Sequence, residues 1–242
     1  MPEKQLRTRD SKRDLGAELV VSIREMKAGQ GAVVGRFPTS TKKTRDAKAK
    51  PTPRVIVFAG PNGAGKSTHA DAILAKLGIE TFVNADYIAR GLSGRNTDSV
   101  AFEAGRIMST RLKDLAAAKH DFAFESTLSS RSFAPFLRQL KSQGYEVAIY
   151  YFSLASSSLA VRRVKLRVAM GGHDVPVDTI RRRFSRSLHN FSTLYIPLAD
   201  QWAVFDNTVT AKATLVATQE GDNLQIKEPK LWLKLQNLIK TA

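Results

Sequence analysis

The sequence predicts an α/β fold in three layers, a mostly parallel sheet with helices on both faces. From residue 54 onward, short apolar runs rich in β-branched and aromatic residues alternate with stretches of helical periodicity. The first run, Val55–Phe58, leads through a glycine-rich loop directly into an amphipathic segment, the order of a strand, a tight turn and a helix. With 242 residues, 43% of them hydrophobic, the chain is long and apolar enough to bury one substantial core.

Taken in order, the strand candidates are Val55–Phe58, Thr81–Asn84, Phe122–Glu125, Glu146–Phe152 and Ala203–Asp206. Helical periodicity places helices between them over Lys66–Leu77, Asp98–Lys119, Ser132–Ser142, Ser156–Met170 and Pro176–Asn190. Beyond the last strand, Thr214–Ala217 and Leu224–Lys227 flank the turn-rich EGDN (Glu220–Asn223), which reads as a small hairpin, with a helix around Lys230–Ile239. Residues 1–53 have a different composition, with thirteen Lys or Arg against six acids, and read as a basic N-terminal arm ahead of a single domain over 54–242. Within the arm, Leu15, Leu19, Ile23 and Met26 make one apolar helical stripe, either a packing or partner-binding helix or a regulatory segment that covers the site. Thr39–Pro53 reads as a linker. No internal repeat is present.

Composition excludes several classes. There are no cysteines, so no disulfide framework and no thiolate metal site. No apolar run approaches membrane-spanning length and the N-terminus lacks a signal-peptide core, so the expectation is a cytoplasmic protein without membrane association. The formal net charge of +16 is compatible with nucleic acid, an acidic protein partner or polyanionic small molecules.

The chemistry concentrates in four motifs. Gly60–Pro61–Asn62–Gly63–Ala64–Gly65–Lys66–Ser67–Thr68 satisfies GxxxxGK[ST] between a strand and a helix. In that setting backbone N–H groups cradle phosphate oxygens, Lys66 reaches the β- and γ-phosphates, and the Ser67 hydroxyl faces Mg²⁺, so ATP and Mg²⁺ are the expected cofactors. Asp86, in FVNAD, stands where a strand's carboxyl end opens on the same crevice, as a general base or as a helix cap. Glu125, in DFAFEST, closes the middle strand and suits a sugar hydroxyl or, through water, Mg²⁺, in the manner of an acidic strand-end residue. Last, Arg162, Arg163, Lys165, Arg167, Arg181, Arg182, Arg183 and Arg186, interrupted by a hinge-like Gly171–Gly172, read as a basic lid over about 160–190 that closes on phosphates. Helical spacing lets at most one or two of the 181–183 run face inward, and sparse aromatics argue against a nucleic-acid patch. His173 has no second ligand at a metal-binding spacing.

The succession GPNGAGKST (Gly60–Thr68), NAD (Asn84–Asp86), FEST (Phe124–Thr127) and RVAMGGHDVP…IRRRFSRSLHNF (Arg167–Phe191) resembles the zeta toxin family of P-loop kinases, and GGHDVP is similar to its proteobacterial branch. The resemblance covers about residues 54–210 and implies an adenylate-kinase-like phosphotransferase that phosphorylates UDP-N-acetylglucosamine at the sugar 3′-hydroxyl. It further implies Lys66 and Ser67 as the ATP-binding lysine and metal-side hydroxyl, Asp86 as catalytic base, and Glu125 and Thr127 as sugar-binding groups. Arg167, with Arg182 or its neighbour Arg181, matches the lid arginines. A nucleotide-sugar substrate follows, and either a separate antitoxin or the arm itself as inhibitor. Two other classes use the same loop: a nucleic-acid-stimulated ATPase, and a non-catalytic nucleotide-dependent binder.

Overall fold

The computed structural model describes residues 52–93, 99–209 and 213–242. Residues 1–51 of the basic arm, with its apolar stripe, lie outside them. Seven strands form one sheet in the order β2-β3-β1-β4-β5-β6-β7. These are β1 (Arg54–Ala59), β2 (Phe82–Val83), β3 (Phe122–Ser126), β4 (Glu146–Ser153), β5 (Gln201–Asp206), β6 (Thr214–Glu220) and β7 (Asn223–Ile226). The first five are parallel, with Val57 opposite Phe124 on one side and Ile149 on the other, while β6 and β7 run antiparallel to their neighbours. β1 and β4 are almost entirely buried, as expected of parallel strands covered on both faces.

Seven α-helices are present among the described residues: α1 (Lys66–Leu77), α2 (Ala85–Ser93), α3 (Ala101–Ala117), α4 (Phe133–Ser142), α5 (Ser157–Ala169), α6 (Val177–Asn190) and α7 (Pro229–Lys240). Adjacent residues of β4 reveal the layering, because successive side chains leave a strand on opposite faces. Phe152 stacks on His69 of α1, whereas Tyr151 bonds Ser187 of α6 at 2.9 Å and stacks on Phe191. Helices therefore cover both sides. α7 joins through stacked Trp202 and Trp232 and the buried Leu235.

The chain leaves β1 for the β2 edge, returns through β3, then crosses to β4 on the other side of β1. That reversal opens a crevice at the carboxyl end of β1, the general ligand position of such sheets. At the opposite end, Arg54 locks to Asp121 at 2.6 Å, tying the start of β1 to the approach of β3.

Element boundaries move where local chemistry competes with periodicity. The strand expected over Thr81–Asn84 keeps only Phe82–Val83, because Asn84 leaves the ladder and its Oδ1 accepts the Asp86 N–H at 2.8 Å, capping α2. α2 enters the sequence expectation only as the helix that Asp86 would cap, because at nine residues it is too short to declare a period; the cap is Asn84. The helix expected from Asp98 runs over Ala101–Ala117, and the last parallel strand begins at Gln201, two residues early. In the hairpin, Glu220 and Asn223 pair, so the turn contracts to Gly221–Asp222. After Asn190, α6 continues as a π turn over Phe191–Tyr195 and a 3₁₀ turn over Ile196–Leu198. Gly171 and Gly172, expected as a hinge, form a firm helix stop: Gly172 N–H donates to Arg167 O at 2.8 Å and Gly171 N–H to Val168 O at 2.9 Å. This is a Schellman closure, made possible by Gly171 at φ +80°.

Candidate active site

The loop after β1 feeds α1 through Gly65, which caps the helix at φ 80°. A Cβ there would stand 2.4 Å from Nδ2 of Asn207, so the position also requires glycine for close approach. Lys66 is buried, and its Nζ donates to the carbonyls of Gly60 (2.9 Å) and Pro61 (3.1 Å). Its third neighbour is Glu125, 3.5 Å away.

Glu125 is the meeting point of the site. Its Oε2 accepts from Ser67 Oγ at 2.5 Å and from Asn84 Nδ2 at 2.9 Å, while its Oε1 faces Lys66. The β1–β3 register places Glu125 opposite Phe58, just before the phosphate loop, and delivers it to the first turn of α1. An acid and a hydroxyl at that point are hard oxygen donors, the type that Mg²⁺ takes from a protein while phosphates and water complete its shell.

Asp86 lies in the first turn of α2, half exposed, with Asn84 as the cap. Its Oδ2 faces Nη1 of Arg167 at 4.0 Å, so α2 and α5 meet across the crevice through an acid and an arginine. Arg167 is held at its other end, where Nη2 donates to His173 O at 2.7 Å; its Nε is buried without a partner among the described residues. Gly172 closes over the same side chain, since a Cβ on it would lie 2.5 Å from Arg167 Cγ. Tyr87, next to Asp86, is pushed above the ordinary phenol range by partial burial and then by the carboxylates of Asp71 and Glu125.

Thr127 does not join this group by a direct bond. Its Oγ1 pairs with Ser129 Oγ at 2.8 Å, in the loop that carries β3 toward α4. Arg181 and Arg182 are both exposed on α6, and among the described residues neither makes a hydrogen bond or ion pair. The structure thus brings together Lys66, Ser67, Glu125, Asp86 and Arg167, and leaves the choice between Arg181 and Arg182 open.

Asn207 and His69 escape the sequence reading, and Arg163 enters it only as one of the lid arginines. Asn207, directly after β5, is buried beneath the loop and donates to Ala64 O at 2.8 Å. Its signal was available, since it is a polar side chain at a parallel strand's carboxyl end. Arg163 reaches Gly63 O at 3.4 Å and Thr208 O at 3.1 Å. Burial pulls its guanidinium down to about 10, opposed by Asp206 and reinforced by Arg162. It was one arginine among many. His69, stacked on Phe152 at 5.3 Å, is buried with Nε2 unpartnered and is held below the usual imidazole value, first by desolvation.

No helix among the described residues is long and apolar enough to cross a membrane. The zeta toxin family model matches residues 39–221. An uncharacterised protein of Haemophilus influenzae is 29% identical over 136 residues, which are 54% of this chain and 92% of the relative. Among solved structures, the AvrRxo1-ORF1:AvrRxo1-ORF2 complex with sulphate ions matches with a TM-score of 0.62 at 15% identity, over 76% of this chain. This chain spans only 63% of the AvrRxo1 chain it matches. The PezAT chromosomal toxin-antitoxin system of Streptococcus pneumoniae matches with a TM-score of 0.56 at 15% identity, over 95% of this chain and 89% of the other. At such identities the structural likeness is one of fold, an α/β sheet with helices on both faces, and the family rests on the sequence match. Because that match spans well over half of its length and contains every motif converging on the crevice, the chain belongs to the zeta toxin family.

Proposed function

We propose that this protein is an ATP-dependent small-molecule kinase of the GGHDVP-type branch, transferring the γ-phosphoryl group to a hydroxyl of a UDP-sugar, specifically the 3′-hydroxyl of UDP-N-acetylglucosamine. The observation that carries the reading is the juxtaposition of a nucleotide loop with a second pair, Asp86 and Arg167, 4.0 Å apart across one crevice, to which we assign the acceptor side. An AvrRxo1-ORF1:-ORF2 structure was solved with ATP, consistent with this fold holding that nucleotide.

In the proposed reaction the acceptor hydroxyl oxygen attacks the γ-phosphorus, the bond from that phosphorus to the β,γ-bridging oxygen breaks, and ADP leaves. Asp86 accepts the hydroxyl proton. Lys66 and Arg167, with Arg182 from α6, meet the charge spread over the γ-phosphoryl oxygens. Magnesium, held through Ser67 and, by way of water, Glu125, would neutralise the β- and γ-phosphates. Glu125 and Thr127 border the sugar. Positioning and charge complementarity supply most of the acceleration in phosphoryl transfer, so few groups suffice.

The matched PezAT system is described as toxin-antitoxin. By extension we read this chain as a cytoplasmic toxin restrained by an antitoxin, or by residues 1–53. If protein lacking residues 1–50 is no more active or growth-inhibitory than the full chain, self-restraint is wrong. Incubation with Mg-ATP and a panel of UDP-sugars, followed by mass spectrometry, tests the kinase. One added phosphate on a sugar is expected, lost in Lys66→Ala and Asp86→Asn. Hydrolysis stimulated by DNA or RNA, with no sugar modified, would instead identify a nucleic-acid ATPase.

A further inference from the structure

Asn84 is bonded to both halves of the crevice. It is 4% exposed, and its Nδ2 donates to Glu125 Oε2 at 2.9 Å while its Oδ1 accepts the Asp86 N–H at 2.8 Å. The first bond belongs to the phosphate loop, because the same Oε2 accepts from Ser67 Oγ at 2.5 Å and Oε1 lies 3.5 Å from Lys66. The second belongs to α2, whose opening N–H groups have no partner within the helix. The Asn84 carbonyl also accepts the Ile88 N–H at 3.1 Å, so side chain and backbone together fix where α2 begins.

The sheet register delivers this contact. β2 pairs with β3 at Phe82–Ala123 and Val83–Phe124, which brings Asn84 and Glu125 next in line. A carboxamide suits the position, since it presents a donor to a carboxylate that only accepts and an acceptor to an N–H that only donates. Asp86 in turn depends on that helix start. Its Oδ2 stands 4.0 Å from Arg167 Nη1, too far for a direct hydrogen bond, so the carboxylate is placed by the backbone that carries it.

Nucleotide changes the company of Glu125. Ser67 and Lys66 are the groups that phosphates and their cation engage in such a loop, whereas here both are turned on Glu125, with Lys66 also on the carbonyls of Gly60 and Pro61. Asn84 is the partner that a nucleotide leaves in place. The geometry points to Asn84 as a positioning residue that couples the phosphate loop to Asp86: nucleotide resets Glu125, and Asn84 carries the change to the first turn of α2, so that the carboxylate is set for the acceptor when nucleotide is bound. The task given to Asp86 rests on the kinase reading, but the coupling of the loop to α2 stands or falls separately.

Two substitutions in the full chain separate the two bonds. Serine caps a helix about as well as asparagine but is too short to reach Glu125, and Asn84→Asp keeps both shape and cap while replacing the donor by an acceptor. AMP-PNP in excess Mg²⁺, at saturation checked by calorimetry, should slow amide hydrogen exchange across α2 (Ala85–Ser93) by about tenfold or more in the wild type and by no more than about twofold in either variant, with melting temperature confirming the fold. No slowing in the wild type, or equal slowing in a folded variant, overturns the coupling. In the transfer assay Asn84→Ser should lower kcat by about 10²-fold with little change in KM for ATP, as a misplaced group does. On a Glu125→Gln background the same substitution should cost no more than about threefold, because its effect passes through Glu125. A full additional loss there overturns the coupling and leaves the kinase intact. Coupled exchange in a protein that phosphorylates no UDP-sugar supports the coupling and refutes the kinase assignment.

Discussion

Replacing Gly172 by alanine should damage transfer without replacing any side chain that contacts a substrate, by displacing Arg167. The added Cβ would lie 2.5 Å from Arg167 Cγ and 2.8 Å from Arg167 O. Carbon atoms rest in contact at about 3.5–4.0 Å, so the side chain or the helix stop must yield by about 1 Å. Arg167 has little room to yield, because its Nη2 is bonded to His173 O and its carbonyl receives the Gly172 N–H. A misplacement of that size in a positioning group costs about 10²-fold in rate, and overpacking of this sort costs about 1–3 kcal/mol of stability. For a chain of this length that is a fall in Tm of about 2–12 °C. Gly171→Ala is the matched control. It carries the backbone penalty of φ +80°, but nothing lies within 4 Å of its Cβ, so it should lose about 1 kcal/mol and keep most of its kcat. The assay is steady-state phosphorylation of a UDP-sugar alongside thermal denaturation of both variants. Equal kcat in Gly172→Ala and wild type, or equal losses in the two variants, would refute the placement of Arg167 by the Schellman closure.

Asn207→Ala removes the buried donor to Ala64 O and leaves space beneath Gly65, so stability should fall by about 1–3 kcal/mol and KM for ATP should rise, read by denaturant titration and initial rates. Asp86→Asn should lower kcat by about 10²–10⁴-fold while nucleotide affinity, measured by calorimetry, changes little. His69 is held neutral by burial, so the unfolded chain binds its proton more readily than the folded one. Its contribution to stability is therefore complete above the ordinary imidazole value of about 6.5 and is lost as pH falls below it, at a limiting slope of about 1.4 kcal/mol per pH unit. His69→Gln should flatten the decline of Tm between pH 7 and pH 5.5; an unaltered decline would show that other groups cause it.

The alternation of apolar runs and helical periods was enough to place the parallel sheet, because buried strands and amphipathic helices declare themselves one segment at a time. The phosphate loop was equally plain, since its function is local: glycine conformations, a lysine and a hydroxyl within nine consecutive residues. Asp86, Glu125 and Arg167 were visible as strand-end acids and a basic helix, but their convergence depended on strand order. Only the crossing from β3 over β1 to β4 sets α5 facing α2 and closes Arg167 on Asp86. Residues whose role is to support others are only partly legible: Asn84 and Asn207 are polar side chains at strand ends, but only the structure shows Asn84 capping α2 and bonding Glu125, and only packing separates Arg163 from its basic neighbours by burying it against the loop. Asn84 and Glu125 lie 41 positions apart, which no local pattern connects. Sequence determined which groups are available; the tertiary structure decided which of them share a crevice, because distance across a sheet is set by topology and not by spacing along the chain.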